Sequence, residues 1–282
     1  MERSKLTVTI RNDLFSQIDS MVDGEKIRNR SHAAEYLILK GLGLNRIRKA
    51  FIVAGGQGTR LRPLTYELPT SLIPIHGKPL LAHVLQRLAS HDVRDIIISV
   101  GYKKEKVMAA FGDGKAYNVH LTYVSEEKPL GTAGPLQLAK KQLSTEPFFL
   151  IWGDVLAAID LLDFAQFHKE TGGIATLAVT SVSDPSRMGA VEMQGSKIIN
   201  FVEKPKAGQE PTKIVSAGYA VCNPEILDYI PKKGAAMMET DVYPNLAKED
   251  KLAGYHFSGQ WFDMDTAANY ERALQEWKDL PA

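Results

Sequence analysis

The sequence predicts an α/β protein in which a small β-α-α segment precedes a larger domain with a buried parallel sheet. From residue 50 onward, short uninterrupted apolar runs alternate with amphipathic helical segments, which is typical of strands buried on both faces of a sheet. Charge also divides the chain, because residues 1–49 hold ten Lys and Arg against six Asp and Glu, and the remainder holds 24 against 27. We therefore predict two domains, over residues 1–45 (the head) and 46–282, and the basic head favours a polyanionic partner.

The head begins with a segment, residues 5–10, in which polar and apolar side chains alternate without a break. This pattern predicts a half-buried strand with Leu6, Val8 and Ile10 on one face. Two helices are predicted to follow, beginning near residues 12 and 29. About 45 residues are too few to bury these apolar faces within one chain. The head is therefore predicted to form a homodimer or a higher even oligomer.

A strand followed by two helices in this length resembles the ribbon-helix-helix family of DNA-binding domains. The resemblance implies that two chains pair their strands and that the polar strand face enters the major groove of duplex DNA. The start of the second helix would then contact the DNA backbone, because free N–H groups there suit a phosphate. Dimerisation without DNA contact is the alternative. The DNA-binding residues implied in this way are Lys5, Thr7, Thr9, Asn29, Arg30 and Ser31.

A glycine-rich loop follows the first predicted strand of the larger domain, Phe51 to Ala54. Gly55, Gly56 and Gly58 lack a Cβ atom, so main-chain N–H groups there can approach a polyphosphate closely. Arg60 and Arg62, two and four residues after Gly58, add cationic donors. The loop predicts a nucleotide site, although a tight turn with only a structural role is the alternative.

The segment Ala54 to Thr65, AGGQGTRLRPLT, resembles the signature of the sugar-1-phosphate nucleotidyltransferases. These enzymes join a nucleoside triphosphate to a sugar phosphate and release pyrophosphate. The resemblance covers nearly everything after residue 49. It implies a Rossmann-like three-layer α/β fold with a mixed, mostly parallel sheet.

The resemblance also assigns roles to individual residues. Asp154 follows a buried strand at the sheet edge where open α/β sheets place ligands, and the family uses this acid, with Asp263, to hold Mg²⁺. Capping of a helix is the alternative for Asp154. The other implied roles are catalysis by Arg60 and Lys204, sugar binding by Glu203 and Ser216, and nucleotide binding by Gly55, Gly56, Gly58, Thr59, Glu126, Gly131 and Thr132.

Several positions depart from the family pattern. Thr70 stands where the family has a lysine that neutralises phosphate charge, and Asp265 stands where it usually has glycine; Ser216 and Thr240 also differ. A lost charge predicts slow turnover. On this basis we predict a DNA-binding transcriptional regulator whose nucleotidyltransferase-like domain binds a nucleotide or nucleotide sugar as effector. The alternative is an active sugar-1-phosphate nucleotidyltransferase that carries a DNA-binding or dimerising head.

Composition limits the remaining possibilities. No apolar run reaches the roughly eighteen residues needed to cross a bilayer, and the first residues have no signal-peptide core. The chain has one cysteine, Cys222, in an apolar segment, which indicates a buried side chain and no intrachain disulfide. We expect a cytoplasmic protein. The identities of the base and the sugar stay open, because Glu126 could accept protons from guanine, thymine or uracil.

Overall fold

The structure of the protein is a computed structural model that describes residues 5–24, 27–42, 46–206 and 208–279. It divides into two compact units, Met1–Asn45 and Arg46–Ala282. The first unit corresponds to the head and the second to the larger domain. Each unit is described by itself below.

The head contains two helices, Asn12–Ser20 (α1) and Arg30–Leu42 (α2). Asn29 caps α2 by accepting a hydrogen bond from the His32 main-chain N–H at 3.0 Å. The Arg30 guanidinium donates two hydrogen bonds to Asp19 of α1, at 2.6 and 3.1 Å, and lies 4.9 Å from the centre of the Phe15 ring. Arg30, which was predicted to contact DNA, therefore joins the two helices.

The predicted strand over residues 5–10 is wrong for the single chain. The segment has no strand structure, and Leu6 and Val8 are 73% and 64% exposed. A strand exists only where a neighbouring strand completes its hydrogen bonds, and the described part of the head offers none. The DNA contacts assigned to Lys5, Thr7, Thr9, Asn29, Arg30 and Ser31 stay predictions, as does the dimer.

The larger domain is built from thirteen strands and seven helices among its described residues. The strands are Lys49–Val53 (β1), Pro74–Ile75 (β2), Lys78–Pro79 (β3), Asp95–Val100 (β4), His120–Ser125 (β5), Phe148–Trp152 (β6), Val155–Ala157 (β7), Ala175–Ser181 (β8), Gly189–Gln194 (β9), Lys197–Glu203 (β10), Ile214–Cys222 (β11), Leu252–His256 (β12) and Trp261–Asp263 (β13). The helices are Leu80–Ser90 (α3), Lys104–Phe111 (α4), Gly134–Leu138 (α5), Lys140–Leu143 (α6), Leu161–Thr171 (α7), Tyr243–Lys248 (α8) and Ala267–Glu276 (α9).

Nine of these strands form one mixed sheet in the order β5-β4-β1-β6-β11-β8-β12-β10-β9. The pairs β5–β4, β4–β1, β1–β6 and β8–β12 are parallel, and the other four neighbouring pairs are antiparallel. The mixed sheet confirms the prediction, but only the first four strands in this order form a continuous parallel block. The expectation of a mostly parallel sheet is wrong for the other half. That half contains the antiparallel strand β11 and the hairpin β9–β10. The hydrophobic pattern of the sequence predicts that strands are present there, but it does not show whether they run parallel or antiparallel.

Two hydrophobic cores cover the two faces of the sheet, which gives the three layers predicted. Alternation along β1 shows the division, since Ala50 and Ile52 belong to one core and Phe51 to the other. The first core includes buried residues of α3, α4, α7 and α9, and the second includes buried residues of α5, α6 and α8. Cys222 is fully buried in the second core, as its apolar segment indicated.

The sheet brings the ends of β1 and β6 together. The two strands run parallel with Val53 opposite Trp152, so the glycine-rich loop after β1 and Asp154 after β6 lie at the same edge. Gly153 is needed between them, because a Cβ atom there would lie 2.9 Å from the Val53 carbonyl oxygen. The parallel block therefore places the two predicted parts of the site side by side.

The carboxylate of Asp279, at the end of the described chain, forms a hydrogen bond with His83 of α3. Asp279 accepts hydrogen bonds from Trp277 Nε1 at 3.0 Å and Lys78 Nζ at 3.2 Å, and it bonds His83 Nδ1 at 2.9 Å. Burial raises the pKa of Asp279, but these hydrogen bonds outweigh it and lower the pKa to about 2. Ionised Asp279 therefore stabilises the folded domain.

We expect Asp279→Asn to lower the free energy of unfolding at pH 7 by no more than about 1 kcal/mol, because the carboxylate is half exposed. Because the pKa of Asp279 is lower in the folded protein, its full contribution to the free energy of unfolding is present at pH values above the ordinary pKa of 3.8. This contribution disappears as the pH falls towards 2. Urea unfolding of both proteins between pH 7 and pH 2.5 measures the difference. A difference that widens on acidification would contradict this interpretation.

Within the part of the chain that the structure describes, no helix is both long enough and apolar enough to cross a membrane. The cytoplasmic location stays a prediction.

Candidate active site

A cavity of about 220 Å³ opens at the edge of the sheet where β1 and β6 end. Seven of the residues predicted for the site line this cavity, namely Arg60, Thr132, Asp154, Glu203, Lys204, Ser216 and Asp263. They come from segments up to about 200 residues apart in the chain. The fold therefore gathers the predicted catalytic, sugar-binding and metal-binding residues into one site.

The two predicted metal ligands are held together by a short two-stranded sheet. Strand β13 pairs antiparallel with β7, so that Asp263 lies opposite Val155, the residue after Asp154. The Met264 main-chain N–H donates to the Asp154 carbonyl oxygen at 2.9 Å, which fixes the two backbones beside each other. Both side chains line the cavity.

The electrostatics of this pair fit a divalent cation. Burial raises the pKa of Asp154, and the charge of Asp265 raises it further. Burial also raises the pKa of Asp263, and with the charges of Asp154 and Asp265 the value reaches about 8. The positive charge around these two neighbouring carboxyl groups is therefore too small for both of them to ionise easily, and a bound cation would supply it.

No cluster of three or more His, Cys, Asp or Glu side chains suited to a metal occurs among the described residues. A site with two carboxylates fits Mg²⁺, which fills its other positions with water and phosphate oxygens.

Arg60 reaches the cavity from a short 3₁₀ turn, Thr59–Leu61, directly after the glycine-rich loop. Its Nη1 atom donates to Asp265 Oδ2 at 3.1 Å, and Arg187 Nη2 donates to the same oxygen at 3.0 Å. Sequence reasoning missed Arg187 entirely and noted Asp265 only as a departure from the family glycine. The segment around Arg187 carries no motif that could have revealed its role.

The predicted sugar residues and Lys204 also line the cavity. Glu203 ends β10, and its Oε1 atom accepts a hydrogen bond from Lys204 Nζ at 2.5 Å. Lys204 has a positive φ of 46°, a backbone conformation that is uncommon for residues other than glycine. Ser216 lines the cavity from β11, beside an irregularity in the pairing of that strand with β8.

Glu239 is a further cavity residue that the sequence did not reveal. Thr132 Oγ1 donates to Glu239 Oε2 at 2.5 Å, and Trp152 Nε1 donates to Oε1 at 3.2 Å. Burial raises the pKa of Glu239. Glu239 and the buried Tyr243 both line the cavity.

The glycine-rich loop is packed closely against residues that follow it. Gly58 has a φ of 59°, its carbonyl oxygen accepts from Thr65 Oγ1 at 2.7 Å, and a Cβ atom there would strike Thr65 and Thr70. Thr70 is buried and is not among the residues that line the cavity. Gly56 has open space around it. Gly58 therefore determines how the loop leads into Thr59 and Arg60.

The remaining predicted nucleotide residues lie outside the cavity lining. Glu126 Oε1 accepts from Ser99 Oγ and lies against Gly55, and Oε2 accepts from the Leu130 main-chain N–H at 2.9 Å. Gly131, with a φ of 79°, approaches the Ala236 backbone so closely that no Cβ atom would fit. In this structure Glu126 contacts β4, the glycine-rich loop and the segment before α5. Its predicted contact with a base stays a prediction.

The sequence pattern of the Nucleotidyl transferase family matches residues 49–279. The chain belongs to this family. The match begins after the head and includes every residue that lines the cavity.

Relatives of the nucleotidyl transferase domain are similar over most of its length. A mannose-1-phosphate guanyltransferase from Schizosaccharomyces pombe is 37% identical over 228 residues, which are 79% of this chain and 62% of the relative. A mannose-1-phosphate guanyltransferase from Saccharomyces cerevisiae is 36% identical over 222 residues, 77% of this chain and 61% of the relative. The chain thus spans less than two thirds of the length of these relatives.

Solved structures share the fold. A candidate glucose-1-phosphate thymidylyltransferase from Bacillus anthracis is 28% identical, with a TM-score of 0.75 over 80% of this chain and 94% of that protein. A UDP-glucose pyrophosphorylase reaches a TM-score of 0.71 at 21% identity, over 81% of this chain and 97% of that protein. The second similarity concerns the fold alone.

The predicted main function, a DNA-binding transcriptional regulator, is wrong. Relatives with 36–37% identity over more than three quarters of the chain are guanyltransferases by name, and the family match leaves out the head. The comparisons give no support to a ribbon-helix-helix domain. Our prediction relied on Thr70 as the sign of a lost catalytic charge, but Thr70 is buried beside Gly58, and the cavity contains a second arginine, Arg187.

Proposed function

We propose that the protein is an active sugar-1-phosphate nucleotidyltransferase, which joins a nucleoside triphosphate to a sugar 1-phosphate and releases pyrophosphate. The observation that carries the proposal is the single cavity in which Arg60, Asp154, Glu203, Lys204 and Asp263 converge. Cations for phosphate, carboxylates for sugar hydroxyl groups and a pair of acids for a metal are the groups that this reaction requires.

The residues of the cavity suggest how the two substrates are arranged. Glu203 and Glu239 would accept hydrogen bonds from sugar hydroxyl groups, and Lys204 would contact the sugar phosphate. Arg60 would bind the triphosphate beside the glycine-rich loop. A phosphate oxygen of the sugar 1-phosphate attacks the α-phosphorus of the triphosphate, the new P–O bond forms, and the bond to the pyrophosphate oxygen breaks. The protein's main contribution is to hold the attacking and leaving oxygens in line.

Asp154 and Asp263 would hold Mg²⁺ in this arrangement. The bound ion would supply positive charge next to the phosphate groups. The contribution of the chain is to keep the two carboxyl groups adjacent through the β7–β13 pairing. Mg²⁺ is proposed from the ligand set and the electrostatics of the pair.

The relatives suggest the substrates. Proteins with 36–37% identity are named mannose-1-phosphate guanyltransferases, so GTP and mannose 1-phosphate are the pair that we propose first. Glu126 lies beside Gly55 and could accept hydrogen bonds from the N1–H and N2–H groups of guanine if a nucleotide displaced its present donors.

Release of pyrophosphate tests the proposal directly. We expect the full chain with MgCl₂, GTP and mannose 1-phosphate to release pyrophosphate and to form GDP-mannose, with turnover of roughly 1 per second or faster. Reactions with ATP, UTP or dTTP, and with glucose 1-phosphate, identify the preferred base and sugar. Omission of the sugar phosphate is the control for simple hydrolysis. No product with any of these pairs would contradict the proposed function.

A further inference from the structure

The cavity contains an arginine pair that shares a single carboxylate. Asp265 Oδ2 accepts from Arg60 at 3.1 Å and from Arg187 at 3.0 Å, while Oδ1 accepts from Asn269 Nδ2 at 3.0 Å. The Asp265 side chain is 9% exposed, whereas the two arginine side chains are 49% and 51% exposed. A buried carboxylate thus anchors two guanidinium groups that face the solvent of the cavity.

The backbone around Arg187 is fixed by local hydrogen bonds. The Met188 N–H donates to the Pro185 carbonyl oxygen at 3.0 Å, and the Ser186 N–H donates to Asp184 Oδ1 at 3.0 Å. These bonds form a turn directly before β9, whose first residue, Gly189, also lines the cavity. Arg187 therefore extends over the cavity from a defined position.

The arginine pair is the most positive place in an otherwise acidic cavity. The lining contains the acids Asp154, Glu203, Glu239, Asp263 and Asp265 and the cations Arg60, Arg187 and Lys204. Lys204 has its own carboxylate partner, Glu203, but Arg60 and Arg187 have one carboxylate between them. Because both bind one oxygen, their donor atoms lie within about 6 Å of each other. Two like charges this close favour a second anion.

Each guanidinium group retains most of its donors. Among the contacts of the described residues, Arg60 and Arg187 each use one N–H group on Asp265, and a guanidinium has five. Two forked groups side by side match the several oxygens of a polyphosphate, since arginine binds phosphate through paired N–H donors. The pair therefore has both the charge and the geometry of a phosphate site.

We propose that Arg187 is a second phosphate-binding residue of the active site, which acts beside Arg60, and that Asp265 holds both guanidinium groups in place until a substrate phosphate replaces it. The inference rests on the proposed function for the identity of the substrate. Arg187 contacts the ligand in this scheme, and Asp265 is a positioning residue. The Asp265 carboxylate occupies the position between the two guanidinium groups, and an incoming phosphate must compete with it.

Binding of inorganic pyrophosphate tests the role of Arg187. In calorimetric titrations of the full chain with MgCl₂ present, Arg187→Gln is expected to raise the Kd for pyrophosphate about 10-fold or more. The Kd of the variant should also depend less steeply on added salt, because one cation has been removed. Arg11→Gln is the matched control, since Arg11 is an exposed arginine paired with Asp13 at 3.0 Å, and it should bind as wild type does.

Asp265→Asn tests the competition. We expect this variant to bind pyrophosphate about 3- to 10-fold more tightly, because an amide competes less well than a carboxylate for the guanidinium groups. The gain should shrink when Arg187→Gln is present in the same chain, since the two residues act through one contact. Thermal unfolding of each variant checks that it is folded.

The outcomes separate the inference from the proposed function. A wild-type Kd for Arg187→Gln overturns the role of Arg187, and weaker binding by Asp265→Asn overturns the competition. If wild type shows turnover and Arg187→Gln binds normally, only the inference fails. If Arg187→Gln lowers pyrophosphate affinity and wild type has no turnover, only the proposed function fails. A wild-type chain that binds no pyrophosphate overturns the inference, whereas the proposed function fails only if no substrate pair gives product.

Discussion

Asp154→Asn is expected to lower nucleotidyl transfer by about 10²-fold or more, because an amide cannot replace the charge of a carboxylate next to Mg²⁺. The variant should also lose a second property, the stabilisation of the fold by MgCl₂. A ligand that binds only the folded protein raises the melting temperature, and the rise grows with the ratio of ligand concentration to Kd. Wild type should therefore melt at a higher temperature with MgCl₂ and triphosphate added, and Asp154→Asn should not.

Asp250→Asn is the matched control for this experiment. Asp250 is an exposed aspartate with a φ of 57°, paired with Lys197 at 3.4 Å, and it does not line the cavity. The same chemical change there should leave both turnover and the MgCl₂ response unaltered. Normal turnover together with a normal MgCl₂ response in Asp154→Asn would rule out a metal at this pair, while a lost response to MgCl₂ with normal turnover would separate metal binding from catalysis.

Gly58→Ala is expected to lower turnover by about 10²-fold, because the loop that delivers Arg60 would have to move. At a φ of 59° a residue with a Cβ atom costs roughly 1–2 kcal/mol. The new methyl group would also lie 2.7 Å from Thr65 Cγ2 and strike Thr70 Oγ1, and both neighbours belong to a packed part of the structure. A displacement of about 1 Å is enough to reduce catalysis 10²-fold.

Gly56→Ala is the control within the same loop. Gly56 does not have a positive φ, and a Cβ atom there meets nothing within 4 Å. Pyrophosphate release should then fall far less in Gly56→Ala than in Gly58→Ala. Equal losses in the two variants would show that close approach of the loop to substrate, rather than packing under Gly58, limits what the loop tolerates.

The sequence alone determined the parts of this protein that depend on neighbouring residues. The run Phe51–Ala54 and the glycines after it predicted a strand and a phosphate loop, and the structure has β1 followed by that loop. Asp154 was predicted at the end of a buried strand, and it follows β6. Such features can be read locally because strand periodicity and backbone freedom are properties of a few consecutive residues.

Only the tertiary structure decided which distant side chains share the cavity. Asp265 lies 205 residues from Arg60 and 78 from Arg187, and Thr132 lies 107 from Glu239. The same limit explains the error over residues 5–10, whose alternation is real but whose partner strand cannot be read from the segment itself. Periodicity shows which face of an element is apolar, but strand order and direction depend on packing throughout the domain. That packing placed the two arginines on one carboxylate.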